Sequence, residues 1–129
     1  MKCIFLVFAV GAMLFSSQAA LASGECDKYS TRYDNTYCMC KLFIESDNEL
    51  NTVYKDLRKI IPESARNQLT SVQREWMRHR DEACQPQPGT IAVDCNYKLN
   101  RERAKYLRDR LNECKTGACQ NDKIGQRSW

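Results

Sequence analysis

The sequence predicts an all-α fold, an antiparallel three-helix bundle with a disulfide-stapled arm and loop. Three observations predict it. Apolar side chains recur at 3- and 4-residue steps in three long segments, and no segment alternates with period two. Proline-bearing breaks separate those segments. Cysteines cluster at the segment ends, where ties between helices would sit. At 129 residues, with 28% charged and 43% hydrophobic side chains, the chain is one domain at most. It is too short for a barrel enzyme or a doubly wound nucleotide-binding fold, and its composition excludes collagen-like and strongly disordered classes.

The first residues read as a targeting segment. Met1-Lys2 is a short positive start, Cys3 to Phe15 is a 13-residue apolar run, and Ala20-Leu21-Ala22 supplies small residues. This is the three-part pattern of a secretory signal, and the run is shorter than the ~20 residues a membrane span wants. Removal of residues 1–22 leaves 23–129 as a single domain of 107 residues, with a core over about 26–114 and an irregular tail over 115–129. Glu25 before Cys26 spoils a lipid-attachment site, so the mature form is expected to be periplasmic or secreted without a transmembrane helix. Loss of Lys2 leaves 19 basic and 16 acidic side chains, a formal charge of +3.

The first helix is expected from about Thr36 to Ile61. Asp34, Asn35 and Thr36 offer capping oxygens, and Pro62 stops it. Its stripe is Phe43, Ser46, Leu50, Val53, Leu57 and Ile60, widened by Tyr54 and Ile61. The second runs from about Glu63 to Cys84 with Leu69, Val72, Trp76, His79 or Arg80, and Ala83. The third runs from about Cys95 to Cys114 with Tyr97, Arg101, Ala104, Leu107, Leu111 and Cys114. Stripes of this width must be buried against another helix. The tight break at Pro62 and the loop Gln85 to Asp94, with two prolines and a glycine, make the helices antiparallel neighbours.

Seven cysteines remain after Ala22, and in an exported domain of this size they suggest a disulfide framework. Cys26 and Cys38 would pin the arm before the first helix. Cys84 and Cys95 would close the loop between the second and third. Cys114 and Cys119 are near enough to close the turn after the third, which leaves Cys40 as the odd thiol. Connectivity does not follow from sequence alone, and Cys40 paired with Cys114 or Cys119 stays open. The odd count implies a free thiol or a covalent dimer. Zinc is disfavoured, because Cys38-Met39-Cys40 is not C-x₂-C and His79 has no second histidine.

No catalytic, cofactor-binding or metal-binding set is found. His79 and Glu82 share a helical face, but no nucleophile accompanies them. Asp81-Glu82 and Asp47/Glu49 sit among Arg78, Arg80 and Lys55, which reads as ion pairs on a solvated face. The run Arg101, Arg103, Lys105, Arg108, Arg110 is interleaved with Glu102, Asp109 and Glu113, a soluble helix surface and not a nucleic-acid stripe. Gln73, Trp76, Arg80 and Cys84 fall on one face at steps of three, four and four. This face reads as bundle core with a cation packed at its edge on the tryptophan.

On these residues the sequence resembles the LprI-type family, small lysozyme-inhibitor-like helical domains of exported bacterial proteins. The pieces are Cys26 and Cys38; Asp47, Leu50-Asn51 and Tyr54; Leu69, Gln73, Trp76, Arg80, Asp81 and Cys84; and Cys95, Arg103-Ala104 and Leu107. Together they span about Cys26 to Leu111. Cys40, Cys114 and Cys119 depart from the pattern. The resemblance implies pairing of Cys26 with Cys38 and of Cys84 with Cys95, an envelope location and, through one branch, inhibition of lysozyme.

A lysozyme cleaves through two carboxylates in a cleft. An inhibitor would place a rigid loop there and bury ~1,600 Å² in total. The loop 85–94, with Gln85, Pro88, Gly89 and Asp94 facing a partner, would be preorganised by its bridge. A protein of charge +3 meeting a basic enzyme gains no long-range attraction, so local acids such as Asp94, Asp81 and Glu82 would have to serve. The leading expectation is therefore an exported, non-enzymatic binding module, a lysozyme inhibitor. The alternative is a structural or accessory envelope protein acting through another protein partner. A hydrolase using His79 ranks third.

Overall fold

A computed structural model describes residues 24–129, and the expected signal segment lies outside them. All regular structure among the described residues is helical: α1 over Arg32–Ile60, α2 over Glu63–Ala83, α3 over Val93–Lys115 and α4 over Asn121–Ile124, with a further helical turn at 24–26. The bundle thus has more than the three expected helices. None of the described helices is long and apolar enough to cross a membrane.

Helix α1 starts four residues before the expected Thr36. Thr31 is its N-cap, and the Thr31 hydroxyl accepts from the Asp34 amide at 3.0 Å. Asn35 is used differently from a cap: its side-chain amide donates to the Cys26 carbonyl at 3.0 Å, tying the arm to the helix. Ile61 leaves helical geometry at φ −95°, ψ 154°, and Pro62 follows with φ −68° as the N-cap of α2. The extended Ile61 turns its side chain inward (4% exposed), whereas Ile60, expected in the stripe, is 46% exposed. At the end of α3, Gly117 adopts φ +81°. Its amide donates to the Cys114 carbonyl at 3.2 Å and the Ala118 amide to the Glu113 carbonyl at 2.9 Å, a Schellman cap.

Side-chain pairs give the helix directions. Arg58 on α1 meets Thr70 on α2 at 2.8 Å and Asp47 meets Arg80 at 3.5 Å, so α2 returns along α1. Asn100 on α3 meets Ser46 at 3.2 Å, and Arg101 and Arg108 both reach Glu49, so α3 runs the same way as α1. Backbones approach most closely between α1 and α3, where small Ser46 allows it.

The apolar core is Leu50, Val53, Leu57 and Ile61; Ala65, Leu69, Val72 and Trp76; Ala104, Leu107 and Leu111; and Ile124. Full burial of a leucine contributes about 1.5–3 kcal/mol, and Leu57, Leu69 and Leu107 are all completely buried. Two more expected stripe positions differ. Ala83 and Arg101 are exposed, and Asn96, Asn100 and Arg103 hold the interior of α3. Most of the tail has no regular structure, but one short helix, α4, forms in it, and Ile124 is completely buried against the core.

Candidate functional site

The loop between α2 and α3 is the most exposed connection in the described bundle. Gln85 to Ile91 all face solvent, as does Asp94. Cys84 and Cys95 are disulfide-bonded with Cα atoms 5.5 Å apart, and the Ala92 amide donates to the Cys84 carbonyl at 2.9 Å, so both loop ends are held together. At the tip the Thr90 amide donates to the Gln87 carbonyl at 3.0 Å, closing a turn with Pro88 second and Gly89 third. Gly89 has φ +78°, a conformation that suits glycine, and Pro88 presets the turn. The Thr90 hydroxyl also donates to the Gln87 carbonyl at 2.7 Å and accepts from its amide at 3.1 Å. Beneath lies a hollow of about 310 Å³ lined by Asp81, Cys84, Gln85, Thr90, Ile91 and Asn96. Ile91 presents an exposed apolar side chain at its rim.

A polar network lies at the same end of the bundle as the loop. Arg80 donates to the Asp81 carboxylate from Nε (3.0 Å) and Nη2 (2.9 Å), to Asn100 Oδ1 at 3.1 Å and to Asp47 at 3.5 Å. Asn100, fully buried, passes its own amide to the Ser46 hydroxyl, which donates to the Phe43 carbonyl at 2.7 Å. The guanidinium lies 5.3 Å from the ring of buried Trp76. Asp47, Trp76, Arg80 and Asp81 are therefore one cluster joining α1, α2 and α3 below the loop. Because its donors and acceptors are largely paired within the fold, the cluster ties the three helices together at this end of the bundle.

The other singled-out residues fall elsewhere. Leu50, Ala104 and Leu107 are core. Tyr54 lies beside Arg58, whose Nη1 donates to its hydroxyl at 3.0 Å and to Thr70 at 2.8 Å near the α1–α2 break. Gln73 accepts from Arg103 Nε at 3.0 Å. Arg103, read in sequence as part of a solvated basic run, is 2% exposed. Burial pushes its guanidinium pKa down to about 10.

Cys26 is bonded to Cys38 and Cys114 to Cys119, with Cα separations of 5.7 Å and 3.9 Å, and Cys40 is a half-buried free thiol. The His79 ring lies 6.0 Å from that of Trp129. Among the described residues no three His, Cys, Asp or Glu side chains converge as a metal site requires.

Sequence reasoning missed Asn96 and Asn100, which continue the 3- and 4-residue steps of Ala104, Leu107 and Leu111 but are polar. It also missed Ser128 and Trp129, whose only signal is a tryptophan in a mostly polar tail.

Comparison with known proteins gives one match. A family model described as Lysozyme inhibitor LprI matches residues 23–107. No curated protein and no solved structure matches the chain.

Proposed function

The chain belongs to the LprI family, and from that footing we propose that it is an exported, non-enzymatic binding module that inhibits a lysozyme through the loop 85–94. Processing after Ala22 would release one stapled domain, 23–129, to the periplasm or the exterior. The observation that carries the reading is the loop itself, which is exposed, bridged at its base and hydrogen-bonded at its tip. Such preorganisation lowers the ordering cost that binding must overcome. The partner-facing side chains are Gln85, Pro88, Gly89 and Asp94, with Ile91 as the apolar contact. Asp94 and Glu82 are exposed acids at the loop ends and supply local complementarity to a basic enzyme. Asp81 is engaged by Arg80 and contributes less.

The test is a titration of animal-type and goose-type muramidases with the oxidised protein. Saturable inhibition that disappears on reduction supports the reading. No inhibition of any muramidase at excess protein removes it and leaves the accessory envelope protein. That second reading draws on the exposed Tyr33, Tyr37 and Ile44, which share a helical face with the Cys40 thiol. A covalent dimer through Cys40 would run at twice the monomer mass on non-reducing electrophoresis.

A further inference from the structure

Arg103 is the one buried charged side chain among the described residues, and its hydrogen-bond partners there are neutral. Its Nε donates to Gln73, its Nη1 donates to the Ser128 hydroxyl at 3.0 Å, and its buried Nη2 has no acceptor among the described residues. The rings of Tyr106 and Trp129 flank the guanidinium carbon at 5.2 and 5.4 Å. Two of these contacts come from the last two residues of the chain. The residue before them, Arg127, pairs with Glu75 on α2 through Nε at 2.8 Å and Nη2 at 2.7 Å. Residues 127–129 thus lie over Arg103, fastened by an exposed ion pair, which contributes little, and by a tryptophan still 39% exposed.

A buried guanidinium without a counter-charge is costly, and its natural partner is a carboxylate. If Ser128 moves away, Nη1 and Nη2 become adjacent unpaired donors, the fork that matches two carboxylate oxygens. A monoanion fits better than a phosphate, because the next guanidinium, Arg110, is committed to Glu113 at 2.5 Å. Displacing Arg127 also uncovers Glu75, which can then receive a cation from the arriving segment.

We propose that Arg103 is a recognition residue for a side-chain carboxylate on a partner-protein segment that also carries a cation, and that residues 127–129 are a cover the partner displaces. The cover imitates the ligand: an arginine on Glu75, an oxygen on Arg103 and an aromatic ring over the guanidinium. This site is independent of the loop 85–94 and of the lysozyme reading, since it needs only a cation and a carboxylate on the arriving segment.

Two experiments on the oxidised full chain test it. Ser128→Asp gives the cover its own carboxylate, so its thermal midpoint at pH 7 rises by several degrees over Ser128→Asn. Equal midpoints overturn the assignment of Arg103 as a carboxylate acceptor. Trp129→Ala loosens the cover, and this variant is titrated by calorimetry with the peptides acetyl-Lys-Gly-Glu-amide and acetyl-Lys-Gly-Gln-amide, and with acetate. The glutamate peptide is expected to bind at least roughly tenfold tighter than the glutamine peptide, the scale of a charged hydrogen-bonded pair. Its binding should vanish when Ser128→Asp is added. Equal binding of the two peptides, or none, overturns the site. Acetate binding as tightly as the glutamate peptide overturns the protein partner in favour of a free carboxylate.

Discussion

Removing the Cys84–Cys95 bridge should separate stability from loop order. The bridge spans 11 residues in sequence, and in the chain-entropy model a closed loop of that length contributes about 2.8 kcal/mol through the unfolded state. The Cys114–Cys119 bridge spans 5 residues, for which the same model gives about 2 kcal/mol. Cys84 is also buried, so replacement by alanine loses some packing. The double variant Cys84→Ala/Cys95→Ala should therefore lose about 3 kcal/mol, a shift of roughly 1–3 M in the urea midpoint. Cys114→Ala/Cys119→Ala should lose about 2 kcal/mol. The two differ more in where they act. The Ala92 amide is held by the Cys84 carbonyl at 2.9 Å, across the base of the loop. Its hydrogen exchange should approach the unprotected rate only in the first variant, and any muramidase inhibition should weaken there far more than in the second. Urea denaturation followed by circular dichroism gives the stabilities, and exchange read by NMR gives the loop order. A stability loss below about 1 kcal/mol, or an Ala92 amide equally protected in both variants, would refute the reasoning that the bridge preorganises the loop.

Other expected outcomes follow from single contacts. Leu107 is completely buried in the apolar core, so Leu107→Ala should cost about 2–5 kcal/mol in urea denaturation. Gly89 has φ +78° with open space around it, so Gly89→Ala should cost about 1–2 kcal/mol from backbone conformation alone, also read by urea denaturation. Lys59 holds the Asp56 carboxyl below its ordinary value, first by a side-chain hydrogen bond and then by charge. The folded state is therefore favoured above the ordinary Asp56 pKa, and this contribution is lost as pH falls through the depressed one. In Lys59→Met, NMR titration should show the Asp56 pKa rising toward the ordinary aspartate value.

The helices were legible because apolar periodicity and Pro62 act locally, and their extents shift by four residues at the start of α1, Arg32, and by two or fewer elsewhere. The resemblance to the LprI family, carried by residues such as Asp47, Trp76, Arg80 and Arg103, agrees with the family match over 23–107. What periodicity could not give was the interior of α3. Asn96, Asn100 and Arg103 occupy buried positions because their partners Ala92, Ser46 and Gln73 lie one turn away or on other helices. A polar residue at a stripe position reads as surface unless its acceptor is known, and the acceptor is a tertiary fact. The docking of the tail through Ile124 escaped notice for a related reason. Ile124 is one apolar residue in a short helix, too little pattern to signal docking, yet the Tyr106 hydroxyl fixes the segment by donating to the Lys123 carbonyl at 2.5 Å.

The distribution of core and bridges gives a final expectation. The start of α1, the end of α2 and the start of α3 share one end of the bundle, where beside Leu42 and the bridged cysteines the buried side chains are polar, Ser46, Asn96 and Asn100, with half-buried Asp47 and Arg80 joined to them. The fully buried leucines, with Ile61, Ala65, Leu111 and Ile124, lie toward the opposite end. Polar pairs contribute on the order of 1 kcal/mol net each, less than a buried leucine. The polar end is therefore intrinsically weaker, and it is the end that carries both Cys26–Cys38 and Cys84–Cys95 as well as the exposed loop. Reduction should loosen this end first. In the reduced protein, amides of residues 32–42 and 84–96 should lose exchange protection, while those of 53–60, 65–73 and 104–111 keep most of theirs. A uniform fall in protection along the chain would mean that the bridges stabilise the bundle as one cooperative unit, and that the loop owes its order to the whole fold instead of to the staple at its base.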